Sequence, residues 1–246
     1  MRLDHYLVEK SIAKTRSQAT DLIKRGLVLV NDTVITKAGY DVSNELIKLV
    51  EEVKYVSRAG EKLYQAIQVF GIELLGMIVC DIGSSTGGFT DCALQEGAKK
   101  VYAYDVGRDQ MDLELKKNPK IELHEETNIL DVKLPDSDLI MIDVSFTSIK
   151  PILNHLQGYQ NEIIALIKPQ FEVGHIHFKQ GVVKDIKRHK EVLTDVLNYA
   201  RLLGFSIKGL IKSDLKGKAG NQEYILYIAT TKNQEDIKKM IGDVLC

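Results

Sequence analysis

The chain has 246 residues, 44% of them hydrophobic and 27% charged, with a formal net charge of −1. That length holds a medium domain plus a small one, and the composition is ordinary for a soluble globular protein. It excludes a membrane span, since no apolar run reaches the roughly eighteen residues one requires. Met1-Arg2-Leu3-Asp4-His5 lacks the pattern of a secretory leader. Cys80, Cys92 and Cys246 are too scattered for a disulfide framework or a zinc site, so no metal and a reducing cytoplasm are expected.

The near-neutral total hides segregation. Met1 to Val30 carries six Lys/Arg (Arg2, Lys10, Lys14, Arg16, Lys24, Arg25) against three acids, and Lys168 to Lys218 carries eleven basic against five acidic side chains. The acids collect between Asp109 and Asp143. Basic patches of this kind suit a polyanion, because phosphate contacts supply most non-specific nucleic-acid affinity. Charge runs are more often solvated helix faces, so charge alone does not decide the matter.

Residues 1–50 read as a small α+β unit. Leu3, Tyr6, Leu7 and Ile12 share one helix face, and Ala19, Leu22 and Ile23 a second. Thr15 is the expected cap of that second helix and Gly26 its end. Leu27–Val30 is a strand, Asn31-Asp32 a tight turn and Val34-Ile35 the returning strand. Arg2-Leu3-Asp4, Ser17-Gln18-Ala19 within Arg16–Arg25, and Gly26-Leu27-Val28 leading into Val30-Asn31 resemble the S4 RNA-binding domain. The resemblance implies that Lys14, Arg16, Lys24 and Arg25 form a basic face for structured RNA, with Arg2 and, beyond this unit, Arg58 as further RNA contacts.

Residues 51–56 read as a connector without Pro or Gly, and the second domain is expected over 57–246. A helix follows, with Ser57 as its expected cap, Leu63, Ala66, Ile67 and Phe70 on one face and Gly71 at its end. Strand-like Ile78–Ile82, helical Gly87–Gln95, strand-like Val101–Asp105 and Leu139–Asp143, helical Ser148–Leu156 and strand-like Ile163–Ile167 come next. Helical Glu191–Leu203 and strands Ser206–Ile211 and Glu223–Ile228 complete the series. Alternating units with continuous apolar strands predict an α/β fold, a mostly parallel sheet covered by helices on both faces.

The most informative stretch is Asp81-Ile82-Gly83-Ser84-Ser85-Thr86-Gly87-Gly88-Phe89-Thr90. It joins a strand to a helix at the crevice where open α/β sheets bind ligands. It is not a P-loop, because no Lys-Ser/Thr follows, and it is not Gly-x-Gly-x-x-Gly. An acid ahead of the glycines repels a pyrophosphate but pairs with an ammonium group. Asp105, ending the next strand, is set to accept hydrogen bonds from ribose hydroxyls. A glycine-rich turn with no ligand is the plain alternative. The combination resembles the S-adenosylmethionine site of class I methyltransferases, which have a Rossmann-like seven-stranded sheet. The resemblance implies cofactor contacts from Asp81, Gly83, Ser85, Gly87, Gly88, Phe89, Asp105, Asn128 and Asp143.

In many such enzymes the end of the fourth strand names the chemistry. Asp143-Val144-Ser145-Phe146 is neither the Asn/Asp-Pro-Pro-aromatic pattern of amino-group methylation nor a Pro-Cys nucleophile. Lys62, Asp143, Lys168 and Glu223 instead resemble the Lys-Asp-Lys-Glu tetrad of the FtsJ-like ribose 2'-O-methyltransferases. Together with the S4-like unit, the chain is similar to the TlyA family of ribosomal RNA methyltransferases over nearly its whole length. The resemblance implies S-adenosylmethionine as cofactor and 2'-O-methylation of a cytidine as the reaction. A ribose hydroxyl must lose its proton as it is methylated. Lys168 is therefore the expected general base, a role that desolvation or a nearby Lys62 favours. Lys62 would steady the alkoxide while Asp143 and Glu223 orient the lysines and collect the proton. Singly, each of these residues reads as a surface charge or structural ion pair; four matching types at element ends weigh against that.

The short basic extension linked in this family to action on both ribosomal subunits is missing before Arg2-Leu3-Asp4, so large-subunit 23S RNA is the favoured partner, with 16S RNA second. Val53-Lys54-Tyr55-Val56 departs from the family's Arg-x-Trp-Val linker. His175-x-His177 reads as a loop pair rather than a metal site, and 174–183 as a mobile loop near the catalytic edge. Two other classes of function stay open here: a membrane-active haemolysin, a label the family has carried, and a non-catalytic ribosome-assembly factor.

Overall fold

The computed structural model describes residues 1–51, 53–173, 182–229 and 236–246. The expected His175/His177 pair and most of the 174–183 loop fall outside them. The chain divides into two units, Met1–Lys54 and Tyr55–Cys246, so the division lies within the stretch read as a connector. Tyr55 is already core of the second unit, packed with Leu63, Ala66 and Phe89.

In the first unit, α1 (Leu3–Glu9) and α2 (Arg16–Lys24) pack on a sheet of β1 (Val28–Val30), β2 (Thr33–Val34) and β3 (Ile47–Leu49), ordered β2-β1-β3 and antiparallel throughout. Thr15 caps α2, its Oγ1 accepting from Gln18 N at 3.1 Å. Gly26 takes φ +74° just past the helix end, a conformation that costs glycine least. Asn31 and Asp32 both have positive φ, as a two-residue hairpin turn requires. The three residues of β3 were too few to announce themselves as a strand. Leu3, Leu7, Ala19, Leu22, Ile23, Val28 and Val30 form the core.

The second unit runs α3 (Arg58–Phe70), β4 (Ile78–Ile82), α4 (Gly88–Gln95), β5 (Lys100–Tyr104), α5 (Leu113–Lys116), β6 (Ile121–His124), β7 (Leu139–Ile142), α6 (Lys150–His155), β8 (Glu162–Ile167), α7 (Pro169–Glu172), α8 (Ile186–Leu202), β9 (Ser206–Lys212), β10 (Tyr224–Ala229) and α9 (Ile237–Leu245). Its seven-stranded sheet is ordered β6-β5-β4-β7-β8-β10-β9. β6 through β8 are parallel and β10 is antiparallel to both neighbours, so the sheet is mostly parallel, as its continuous apolar strands predict. Alternate strand residues feed two cores: Cys80, Ile82, Ile140, Ile142 and Ala165 on one face, Val79, Val101, Leu139, Met141 and Leu166 on the other. Among the described residues no helix is long and apolar enough to cross a membrane.

Two expectations need correction. α8 begins at Ile186 rather than Glu191, capped by Asp185, whose carboxylate accepts from Lys187 N at 2.9 Å. Its first turn carries Lys187, Arg188 and Lys190 around a single buried His189, so hydrophobic periodicity missed it. Ser57 precedes α3 at the cap position but makes no capping side-chain hydrogen bond. Its Oγ lies instead where a Cβ on Gly88 would come within 2.2 Å.

Gly60 and Gly88 let α3 and α4 touch. A Cβ on Gly60 would stand 2.5 Å from the Tyr55 ring and 2.9 Å from the Gly88 carbonyl oxygen. Gly60→Ala is therefore expected to cost about 1–3 kcal/mol as overpacking. Urea unfolding with an unchanged midpoint would remove this account of the helix packing.

Candidate active site

β4 is where the chain's strand order reverses, β5 lying on one side and β7 on the other, which opens a crevice at the strands' carboxyl ends. Gly83 turns there with φ +86°, donating its N–H to Tyr104 O at 2.9 Å. A Cβ at this position would meet Asp143 O at 2.8 Å, so the turn and the β7 end fit only around glycine. Ser85 also takes a positive φ. Its N–H reaches Asp105 Oδ2 at 2.8 Å, and Asp105 Oδ1 accepts from Gly107 N at 2.6 Å. Gly87, at φ +92°, starts α4, where a Cβ would lie 2.5 Å from Leu115.

Asp81 is 0% exposed. Its Oδ2 accepts from Thr90 N at 3.0 Å and Thr90 Oγ1 at 2.6 Å, while Oδ1 has no hydrogen-bond partner. Burial pushes the carboxyl up to about 7, with the Thr90 hydrogen bonds opposing that rise and the Asp143 charge adding to it. A buried carboxylate with one oxygen left without a partner fits a small cationic group. The other residues expected at the cofactor site lie differently. Gly88 serves the α3–α4 contact and the Phe89 side chain is core. Asn128 caps a short 3-10 turn, its Oδ1 accepting from Leu130 N at 3.1 Å.

Two lysine–carboxylate pairs occupy the same end of the sheet. Lys168 Nζ lies 2.6 Å from Asp143 Oδ1 and donates to Ser145 Oγ at 2.9 Å. The Asp143 contact is close but poorly directed as a hydrogen bond, so it is best read as an ion pair. Lys62 Nζ donates to Glu223 Oε2 at 2.5 Å. Lys62, Lys168 and Glu223 are 7%, 8% and 3% exposed. Their positions follow from register: Tyr224 pairs with Ile167, so Glu223 and Lys168 are the next residues along that ladder. Gln170 Nε2 approaches Glu223 Oε1 at 3.4 Å, and Gly217 passes so near that carboxylate that a Cβ would lie 2.3 Å from Oε1. Ser145, Gln170 and Gly217 were not anticipated from sequence, being residue types that carry no signal until the fold brings them to a charged neighbour.

A family model described as FtsJ-like methyltransferase matches residues 55–230. The chain belongs to that family. An S4 domain model matches residues 1–45, which gives the arrangement of the TlyA branch. A Campylobacter jejuni relative named 23S rRNA (cytidine-2'-O)-methyltransferase TlyA is 38% identical over 92% of this chain and 98% of its own length. A Mycobacterium tuberculosis relative named 16S/23S rRNA (cytidine-2'-O)-methyltransferase TlyA is 34% identical over 99% of this chain and 95% of its own. A solved Streptococcus thermophilus structure that carries a hemolysin label superposes with a TM-score of 0.78 at 36% identity, covering 100% of this chain and 94% of that one.

In the S4 unit of this FtsJ-like protein, the expected RNA-facing cations divide. Arg2 and Arg16 both grip the buried Asp4: Arg2 Nε at 2.9 Å on Oδ1, Arg16 Nη2 at 3.0 Å on Oδ2. The Arg2 hydrogen bond is the main cause holding the Asp4 carboxyl well below the usual carboxylate range. Lys14 and Lys24 are exposed, and Arg25 lies within 4 Å of Asp21 and Glu51, at 3.7 and 3.9 Å. Arg58 opens α3 in the methyltransferase unit. Among the described residues no group of three or more His, Cys, Asp or Glu is arranged to hold a metal.

Proposed function

We propose that this chain methylates the 2'-hydroxyl of a cytidine ribose in ribosomal RNA, with S-adenosylmethionine as methyl donor and 23S RNA as the favoured substrate. The observation that carries the reading is the pairing of two buried lysines with two carboxylates at the sheet end that also holds Asp81 and the glycine turn. The two ribosomal RNA methyltransferases described above both carry 23S rRNA in their names and one of them adds 16S.

S-adenosylmethionine, when bound, supplies an electrophilic methyl group on a sulfonium centre. Asp81 Oδ1 pairs with the ammonium of its methionine part, and Asp105, whose oxygens each keep a second lone pair, accepts from ribose hydroxyls. Lys168 donates to Ser145 Oγ and lies 2.6 Å from Asp143 Oδ1, and these two neighbours hold the amine in place. As a free amine, its lone pair takes the proton of the RNA hydroxyl. Lys62, held by Glu223, offers positive charge to the developing alkoxide. At a position this buried such a charge acts with little solvent screening. Lys14, Lys24 and Arg25 supply phosphate contacts from the S4 domain, joined by Arg58 on the methyltransferase unit, while Arg2 and Arg16, bonded to Asp4, add positive charge to that face.

The test is transfer of radiolabelled methyl to 50S and 30S subunits from a strain lacking the modification. Label recovered as 2'-O-methylcytidine in 23S RNA is expected. Label in base-methylated nucleosides, or in neither RNA despite measured cofactor binding, overturns the reading.

A further inference from the structure

Residues 221–224 tie two exposed basic segments to the catalytic edge. Asn221 Oδ1 accepts from Val183 N at 2.8 Å, and the Asn221 carbonyl accepts from Gly217 N at 2.8 Å. One residue beyond Glu223, the Tyr224 hydroxyl lies 2.8 Å from His189 Nδ1. His189 Nε2 lies 2.8 Å from Val183 O, and since a carbonyl only accepts, Nε2 carries the hydrogen. His189 is a buried residue in the first turn of α8, so these bonds fix where the start of that helix sits. Gly217 meanwhile rests against the Glu223 carboxylate itself.

The charged side chains carried on these two tied segments are mostly cationic. Residues 182–191 and 213–220 hold six Lys/Arg, at 184, 187, 188, 190, 216 and 218, against three acids, at 185, 191 and 214. Two of those acids are engaged locally, Asp185 as the cap of α8 and Glu191 with Arg188 Nη1 at 2.7 Å. Lys184 adjoins Val183, Lys216 and Lys218 flank Gly217, and these three lysines and Lys187 are all exposed. The tie points are Val183, His189, Gly217 and Asn221, and the exposed lysines stand close to them along the chain.

We propose that Lys184, Lys187, Lys216 and Lys218 form a phosphate-binding rim beside Glu223 that holds the RNA backbone flanking the target nucleotide. The proposal rests on the ribosomal RNA reading above and adds a surface on the methyltransferase unit to the S4 domain's own. The chemistry fits a polynucleotide: separated, flexible point charges on two segments match phosphates repeating along a strand, with no aromatic platform needed. Contacts of this kind position the substrate and carry no sequence information.

The test uses the full-length protein, naked 23S RNA and assembled 50S subunits. In the K184A/K187A/K216A/K218A variant the KM for RNA is expected to rise at least about ten-fold while kcat at saturating RNA is retained. The slope of log affinity against log salt should flatten by about 0.7–0.9 for each phosphate that is no longer neutralised. Unrelated RNA should weaken equally. The four-fold Lys→Arg variant should restore binding, and unchanged S-adenosylhomocysteine affinity reports an intact fold. An unchanged KM and salt slope overturns the rim. Normal binding to naked RNA with lost activity only on 50S subunits also overturns it, pointing to a ribosomal protein as the partner. If the unsubstituted protein methylates no RNA, the proposed reaction fails, whereas direct RNA binding still reads the rim by itself.

Discussion

Lys168→Arg is expected to lose methyl transfer about 10²–10⁴-fold, the range for removing a general base, while still binding cofactor and RNA. The substitution separates two roles that alanine would confound. Removing the charge would leave Asp143 beside Ser145 in a site where Lys168 is 8% exposed, and stranding one member of a buried pair commonly costs about 3–5 kcal/mol of stability. A protein weakened that far would report unfolding as lost activity. Arginine keeps the positive charge opposite Asp143 Oδ1 but cannot give up a proton in a protein. Single-turnover rates at saturating RNA and donor decide the matter. Activity within a few-fold of the original would mean that position 168 needs charge alone, and Lys168 would no longer be the base. Lys62→Arg serves as the comparison, because its proposed role is electrostatic and should survive in part.

The parts of this site that were legible in sequence are those where one residue type does what no other can at a fixed local spacing. Gly83 and Gly87 sit at positive φ between β4 and α4, and the acids ending β4 and β5 frame them within 25 residues of chain. The lysine–carboxylate pairs were legible only by family resemblance. Lys62 and Glu223 are 161 residues apart, and no local pattern joins them. Phe89 illustrates the opposite error of emphasis. It belongs to the glycine-rich stretch, yet it sits on the helix face turned to the core, where it packs with Tyr55 and Leu63. Gly88, next to it, is glycine because Ser57, Ala59 and Gly60 press against it from α3. A glycine needed for helix contact and one needed for a ligand look alike in a string of letters. Short elements were hidden for a different reason: β3 and β6, of three and four residues, are too brief for a period to register.

Asp81 supplies a prediction whose sign follows from its surroundings. Its carboxyl is raised to about 7, chiefly because burial disfavours the charge, so between about pH 4 and 7 the folded protein keeps a proton that the unfolded chain releases. Stability of the cofactor-free protein should therefore fall as pH rises through that window and level off above it. Three units of displacement set an upper bound of about 4 kcal/mol. Ligand binding runs the other way. An ammonium group meeting Asp81 Oδ1 needs the ionised form, so affinity should rise about ten-fold per pH unit up to about 7 and then flatten until the ligand's own amine deprotonates. Asp81→Asn removes both effects together. The free variant should be more stable at pH 8 than the parent, and its affinity for S-adenosylhomocysteine should drop at least about thirty-fold, the low end for breaking a buried charge pair. Its binding should also lose the acidic limb. Calorimetric titration with S-adenosylhomocysteine from pH 5.5 to 8 reads affinity and proton release at once. Binding by the variant at parental strength, with the pH dependence intact, would place the ammonium elsewhere and leave Asp81 as a buried anchor for Thr90.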